Sequence, residues 1–79
     1  MPTVLTIGPY RFFFFSNEGS EPPHIHVRRD RQLAKFWLQP VLLGSSVNFS
    51  SHELREVRLL VVRNQQEFLE AWHEHSARK

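Results

Sequence analysis

The chain has 79 residues, no cysteine and a formal net charge of +2. A chain of this length predicts one domain, in which folding buries about 60–65% of the unfolded surface. The lack of cysteine excludes disulfides and thiolate metal sites, which fits a reducing compartment. No signal peptide is recognised, and no apolar run approaches the roughly 20 residues of a membrane helix. We therefore expect a cytoplasmic protein that does not enter a membrane.

The first half of the chain has the composition of β-strands. We predict strands at about 3–7, 10–16, 24–29 and 33–39, because these segments alternate in polarity or are rich in β-branched and aromatic residues. Residues 8–9 form a Gly-Pro turn signal, and residues 30–32 join two strands as a hairpin that lacks the favoured glycine. A short edge strand at 41–43 would complete a mainly antiparallel sheet of four or five strands.

The second half changes to a helical period. Residues 50–53 match a capping box, which predicts a helix at about 51–63 with an apolar stripe on one face. Residues 64–67 resemble a second capping box, so we predict a bend at Asn64 and a second helix at about 65–77. One continuous helix is the alternative, because positions 54, 61, 68 and 75 share a seven-residue spacing. The expected fold class is α+β, with both helices packed on one face of the sheet.

The segment Glu-Pro-Pro-His-Ile-His-Val at 21–27 is the most distinctive in the chain. Because side chains two apart on a strand share a face, His24 and His26 should lie side by side, with Ile25 and Val27 opposite.

The sheet face away from the helices would then carry a basic and aromatic set of residues. The set comprises His24, His26, Arg28, Lys35 and Trp37, together with Arg11, Phe13 and Phe15 if the strand at 10–16 presents those residues. We prefer the set with Arg11. Presenting residues 10, 12 and 14 instead is the alternative, and the pattern alone does not decide the register. Exposed aromatic patches usually mark an interface or a binding groove, so this face is predicted to bind something.

Two kinds of catalysis are compatible with the histidine pair. In the first, His24 and His26 share a metal ion with a third ligand from Glu21, His52 or His73. In the second, the histidines act as acid and base in metal-independent RNA cleavage while Arg11 or Arg28 stabilises the phosphate. We favour the second of these and predict neither a metal nor a cofactor.

A non-catalytic interaction module is equally compatible with the same residue types, since Trp, Tyr and Arg dominate protein-binding hot spots. The cluster at 28–35 contains four cations and one aspartate, which would attract phosphates or an acidic protein. Lys35, Trp37, Phe13 and Phe15 would form the binding surface. Glu21 and His52 are placed at its border as residues that orient or extend it.

Five segments together resemble a bacterial family known as domain of unknown function DUF4160. They are MPTVL at 1–5, YRFFFFSNEG at 10–19, EPPHIHV at 21–27, AKFWL at 34–38 and HELRE at 52–56. Residues 41–48 and 58–63 depart from the family pattern, the latter by being more apolar.

Members of this family are often encoded beside a second small protein. The resemblance therefore implies the toxin-like member of a type II toxin–antitoxin pair, whose acidic antitoxin would cover the basic face. RNA and a second copy of the chain are the other partners considered. A non-catalytic interaction or dimerisation module is the alternative function.

Overall fold

Five antiparallel strands form a meander, and two helices cover one of its faces in an α+β arrangement. The computed structural model describes residues 3–15 and 21–77. The strands are β1 (Thr3–Ile7), β2 (Tyr10–Phe13), β3 (His24–Arg29), β4 (Gln32–Leu38) and β5 (Val41–Val47), and the helices are α1 (Ser51–Arg63) and α2 (Gln65–Ala77). Each strand pairs with the next in the order β1-β2-β3-β4-β5, so β1 and β5 are the two edges.

The strand boundaries follow the sequence patterns except in β2 and β5. β2 ends at Phe13, whereas a strand over 10–16 was expected, and residue 16 lies outside the described residues. β5 continues to Val47, beyond the predicted 41–43.

The glycine at position 44 explains why β5 is longer than expected. Lys35 pairs with Ser45 while Phe36 pairs with Leu43, so Gly44 is the extra residue of a β-bulge rather than the end of a strand. A Cβ at Gly44 would lie 3.2 Å from the carbonyl oxygen of Lys35, which is closer than most side chains tolerate. The glycine therefore allows the bulge to lie close to β4.

The predicted hairpin between β3 and β4 forms without a glycine. Asp30 adopts a left-handed conformation with φ of 52°, which aspartate tolerates better than most residues. Arg28 Nε donates a hydrogen bond to the Asp30 carbonyl oxygen at 3.2 Å, and the Asn48 side chain donates to the Arg31 carbonyl oxygen at 3.1 Å. Side chains thus supply the local interactions that hold this turn.

The two helices begin and bend where the sequence predicts. Ser50 Oγ accepts from the Glu53 N–H at 3.1 Å and Glu53 Oε1 accepts from the Ser50 N–H at 2.9 Å, which confirms the first capping box. The Asn64 side chain donates to the Leu60 carbonyl oxygen at 2.8 Å, and α1 ends there. The alternative of one continuous helix is wrong. No helix in the described residues has the length and apolar character needed to cross a membrane.

The core lies between the helices and one sheet face. Tyr10, Phe12 and Phe14 all point into it, so the set containing Arg11 points the other way, as preferred. The Phe12 and Phe68 ring centroids are 5.1 Å apart, and those of Phe14 and Trp72 are 5.4 Å apart. The strands contribute the other large buried residues Ile25, Val27, Phe36 and Leu38, and α1 contributes Val57 and Val61.

Candidate functional site

The sheet face turned away from the helices, here called the outer face, brings together residues from β2 to β5. Cross-strand register places Arg11 opposite Arg28, Phe13 opposite His26, His26 opposite Lys35 and His24 opposite Trp37. The outer face consists of Arg11, Phe13, Phe15, His24, His26, Arg28, Leu33, Lys35, Trp37, Leu42 and Val47. Most of the site residues selected from the sequence therefore share one surface.

The two histidines lie side by side as expected, with ring centroids 5.1 Å apart. Both are buried, since His24 is 0% exposed and His26 is 7% exposed. The His24 ring lies 4.7 Å from Trp72 of α2 and 5.6 Å from Trp37 of β4, measured between centroids. Two tryptophans distant in sequence therefore contribute to covering it, and because one of them belongs to α2, the outer face meets a helix at His24.

The hydrogen bond of His24 defines its tautomer. His24 Nδ1 lies 2.9 Å from the carbonyl oxygen of Pro22, and a carbonyl oxygen can only accept. Nδ1 therefore carries a proton and donates, and in the neutral ring Nε2 is the acceptor. This bond holds the start of β3 against the proline pair that precedes it.

The outer-face aromatic rings contact their neighbours rather than projecting into water. Phe13 is only 4% exposed, because its ring stacks on His26 at 5.6 Å and meets Phe15 edge-on at 5.1 Å. Lys35 Nζ lies 4.4 Å from the Trp37 ring centroid, which covers part of that ring. The sequence-based prediction of three exposed aromatic rings is therefore wrong for Phe13 and overstated for Trp37.

Glu21 joins the site through Lys35. Lys35 Nζ donates to Glu21 Oε1 at 2.6 Å, and the same oxygen lies 3.9 Å from His24 Nδ1. The contact with lysine is a hydrogen-bonded ion pair, whereas the approach to histidine is longer than a hydrogen bond. Glu21 therefore offsets the charge of Lys35 at one end of the outer face.

Arg11 and Arg28 form an opposed pair of cations at the other end of the outer face. They are direct cross-strand partners, and both are exposed. Within residues 3–15 and 21–77, neither guanidinium forms an ion pair with a carboxylate. Like charges placed opposite each other destabilise a sheet, so this arrangement is expected to attract an anion.

Arg28 lines two grooves, here called the smaller and the larger groove, and together with Arg11 it also lines a shallow hollow of about 400 Å³ beside Pro9 and Asp30. The smaller groove, about 120 Å³, is lined by Thr3, Arg11, Phe13 and Arg28. The larger, about 270 Å³, is lined by Phe13, Phe15, Arg28, Asp30, Arg31, Gln32, Leu33 and Val47. Leu33 and Val47 were not among the site residues predicted from the sequence, although the alternation of β4 places residue 33 with Lys35 and Trp37. The larger groove thus has an apolar wall and a cationic end.

His52 does not belong to this site. It is exposed in the first turn of α1, and α1 packs on the sheet face opposite to the outer face. In the described part of the chain, no group of three His, Asp or Glu side chains is arranged to hold a metal ion.

Two titratable groups with shifted pKa values lie on the helix side of the sheet. Burial raises the pKa of Tyr10, and the hydrogen bond that its hydroxyl donates to Glu56 at 2.8 Å raises it further. Hydrogen bonds from the Ser50 backbone and from Gln32 lower the pKa of Glu53. Both groups connect strands to α1 and take no part in the outer face.

Comparison with known proteins gives a family but no activity. The model of the family described as domain of unknown function (DUF4160) matches residues 10–73, which run from β2 into α2 and include all the residues assigned above to the outer face. A search of curated proteins and a search of solved structures each returned no match.

Proposed function

Since the chain belongs to the DUF4160 family, whose description names no activity, we propose a function from its geometry. The outer face binds an acidic segment of a small partner protein, and the chain is the toxin-like member of that toxin–antitoxin pair. The observation that carries the binding proposal is the Arg11–Arg28 pair, two opposed cations without a carboxylate partner among the described residues. Two guanidinium groups can bind a carboxylate through charge-assisted hydrogen bonds.

The larger groove indicates the chemistry of the segment. Leu33 and Val47 form its aliphatic side, and Arg28 and Arg31 line the same groove. An extended segment could place an apolar side chain against the first pair and a carboxylate against the second. Apolar contact would supply affinity, and the charges would steer association and set its direction.

The aromatic rings favour a protein partner over RNA. Single-stranded RNA is bound largely by stacking bases on aromatic rings that are free on one face. Phe13 is stacked on His26, and Lys35 lies over Trp37. These ring faces are occupied by the protein itself, whereas both arginines are exposed and have no carboxylate partner among the described residues.

The burial of His24 favours binding over catalysis. A general base must come within hydrogen-bond reach of the proton that it removes. His24 has no exposed surface, and its Nδ1 is already bonded to Pro22. His24 therefore has a structural role at the start of β3. His26, two residues before Arg28 on the same strand face, is the remaining histidine that could act as an acid or a base.

A binding comparison tests this proposal. We expect a fluorescein-labelled peptide of alternating Asp and Leu to bind more tightly than an oligouridylate of equal charge, measured by fluorescence anisotropy. Arg11→Gln/Arg28→Gln should weaken peptide binding about tenfold or more, because charge-assisted hydrogen bonds of about 1.5–3 kcal/mol are lost. The control Arg55→Gln/Arg58→Gln removes the same charge from exposed positions on α1 and should have little effect.

Two outcomes contradict the proposal. The first is that Arg11→Gln/Arg28→Gln and the control Arg55→Gln/Arg58→Gln weaken peptide binding equally. The second is tighter binding of the oligouridylate, with cleavage that His26→Gln abolishes, which would establish the ribonuclease hypothesis. The toxin-like role requires that the chain also acts through the outer face, which its partner covers. Expression of the chain alone should therefore arrest growth, and Arg11→Gln/Arg28→Gln should relieve the arrest.

A further inference from the structure

Three of the five large aliphatic side chains that are exposed in the described part of the chain lie on the edge strand β5. Among the described residues, every large aliphatic side chain that is exposed lies on β5 or on α1, the helix that packs on β5. These residues are Leu42 (54% exposed), Leu43 (45%), Val47 (55%), Leu59 (53%) and Val62 (44%). Concentrated apolar exposure of this kind usually marks an interface.

β5 lacks most of the devices that protect the edge of a sheet. Edge strands are usually short, charged or interrupted by proline, because their free N–H and C=O groups can pair with another chain. β5 has seven residues, contains neither a charged residue nor a proline, and is exposed at every position after Val41. Its one protective feature is the bulge at Gly44. In the described part of the chain no strand pairs with its outer side.

The aliphatic side chains lie on both sides of this edge. Leu42 pairs with Trp37 and Val47 pairs with Leu33, so both belong to the outer face. Leu43 pairs with Phe36, which is buried under the helices, so Leu43 lies on the helix side. A strand added to β5 would therefore meet aliphatic groups above and below the sheet.

We propose that β5 pairs antiparallel with β5 of a second copy of this chain, so that two sheets join across a two-fold axis. Because β5 carries no charge, pairing it with β5 of a second copy brings no like charges together. A two-fold axis places the same apolar patch of each copy against that of the other. The acidic segment proposed for the outer face finds no cation on β5 to bind. Neutrality and shared aliphatic surface therefore favour a second copy at this edge.

Sedimentation equilibrium of the full chain tests the proposal. We expect a dimer for the wild-type chain, and a dimer dissociation constant raised about tenfold or more by Leu42→Lys and by Leu43→Lys, because each places a charged side chain in the aliphatic surface that the dimer buries. Leu43 lies on the helix side of the sheet, outside the outer face, so Leu43→Lys tests this proposal separately from the outer-face proposal. The control Thr6→Lys changes an exposed residue on β1, the other edge strand, and should leave the constant unchanged.

Hydrogen exchange identifies which edge is used. Amide hydrogens within 41–47 should exchange more slowly in the dimer than after dilution to monomer. A wild-type chain that stays monomeric at concentrations on the order of 100 µM would overturn the proposal, since stable dimers form well below that range. A dimer that survives both lysine substitutions on β5 unchanged, with no protection of 41–47, would equally overturn it.

Discussion

For individual residues of the outer face, the sequence predicted the direction of the side chain better than its burial. Alternation along β3 correctly predicted that His24 and His26 share a face and that Ile25 and Val27 oppose them. It did not predict their burial, because the ring that covers His24 comes from Trp72 on α2. Periodicity indicates to which face of its strand a side chain points, whereas the burial of that side chain depends on residues that only the tertiary fold brings close.

The Arg11–Arg28 pair leads to a prediction about stability. Arg11→Gln should raise the free energy of unfolding by about 0.2–1 kcal/mol at low salt, because it removes one of two like charges placed opposite each other. The gain should shrink as salt screens the remaining charges. Urea unfolding followed by tryptophan fluorescence measures it, with Arg55→Gln on the exposed side of α1 as control. A decrease in stability would show that Arg11 has a stabilising role in the free chain.

Among the elements, α1 is the one whose start the sequence describes best. The capping box at 50–53 is formed, and the bend at Asn64 ends the helix as predicted. Its connection to the sheet was not apparent from the sequence. Glu53 also accepts from Gln32 Nε2 at 2.9 Å and lies 3.9 Å from Arg29, so the cap joins α1 to the β3–β4 hairpin.

The lowered pKa of Glu53 predicts how this connection responds to pH. A carboxyl group whose folded pKa is lowered contributes stability above its unfolded value, here 4.5, and loses that contribution as pH falls through the folded value. Glu53→Gln should therefore be less stable than wild type at neutral pH, and the difference should diminish below pH 4.5. Thermal unfolding across this pH range measures it, with Glu70→Gln as control. A difference that is independent of pH would contradict the assignment.

At the scale of the whole molecule, the core depends on contacts between α2 and the sheet. Phe68 is fully buried and contacts Phe12 on β2, and Trp72 contacts Phe14 just beyond that strand. Gln65 Nε2 donates to the Leu38 carbonyl oxygen, which ties the start of α2 to the end of β4. A short chain can bury few large side chains, so each of these contacts is a large part of its stability.

Phe68→Ala should therefore come close to unfolding the protein. The change should cost about 3–5 kcal/mol, against a total of roughly 4–12 kcal/mol for a chain of this length. Urea unfolding should show a much lower midpoint. The control Glu70→Ala, at an exposed position on the same helix, should change stability by at most about 0.5 kcal/mol. A small effect of Phe68→Ala would mean that the helices contribute little to the core.

The sequence by itself determined the order of strands and helices, the faces of β3 and β4, the cap at Ser50 and the bend at Asn64. These features depend on residues only a few positions apart, and periodicity and capping report such local relations. It misjudged β5, because a glycine in a β-bulge has the same local appearance as a glycine that ends a strand.

Only the tertiary structure decided the properties of the outer face. The burial of His24, the stacking of Phe13 and the opposition of Arg11 to Arg28 all depend on contacts or register between separate elements. The groove beside Val47 depends on β5 pairing with β4 past the bulge. Strand register and side-chain packing are set by the free-energy minimum of the whole fold. Residues distant in sequence therefore decide which side chains remain exposed to bind a partner.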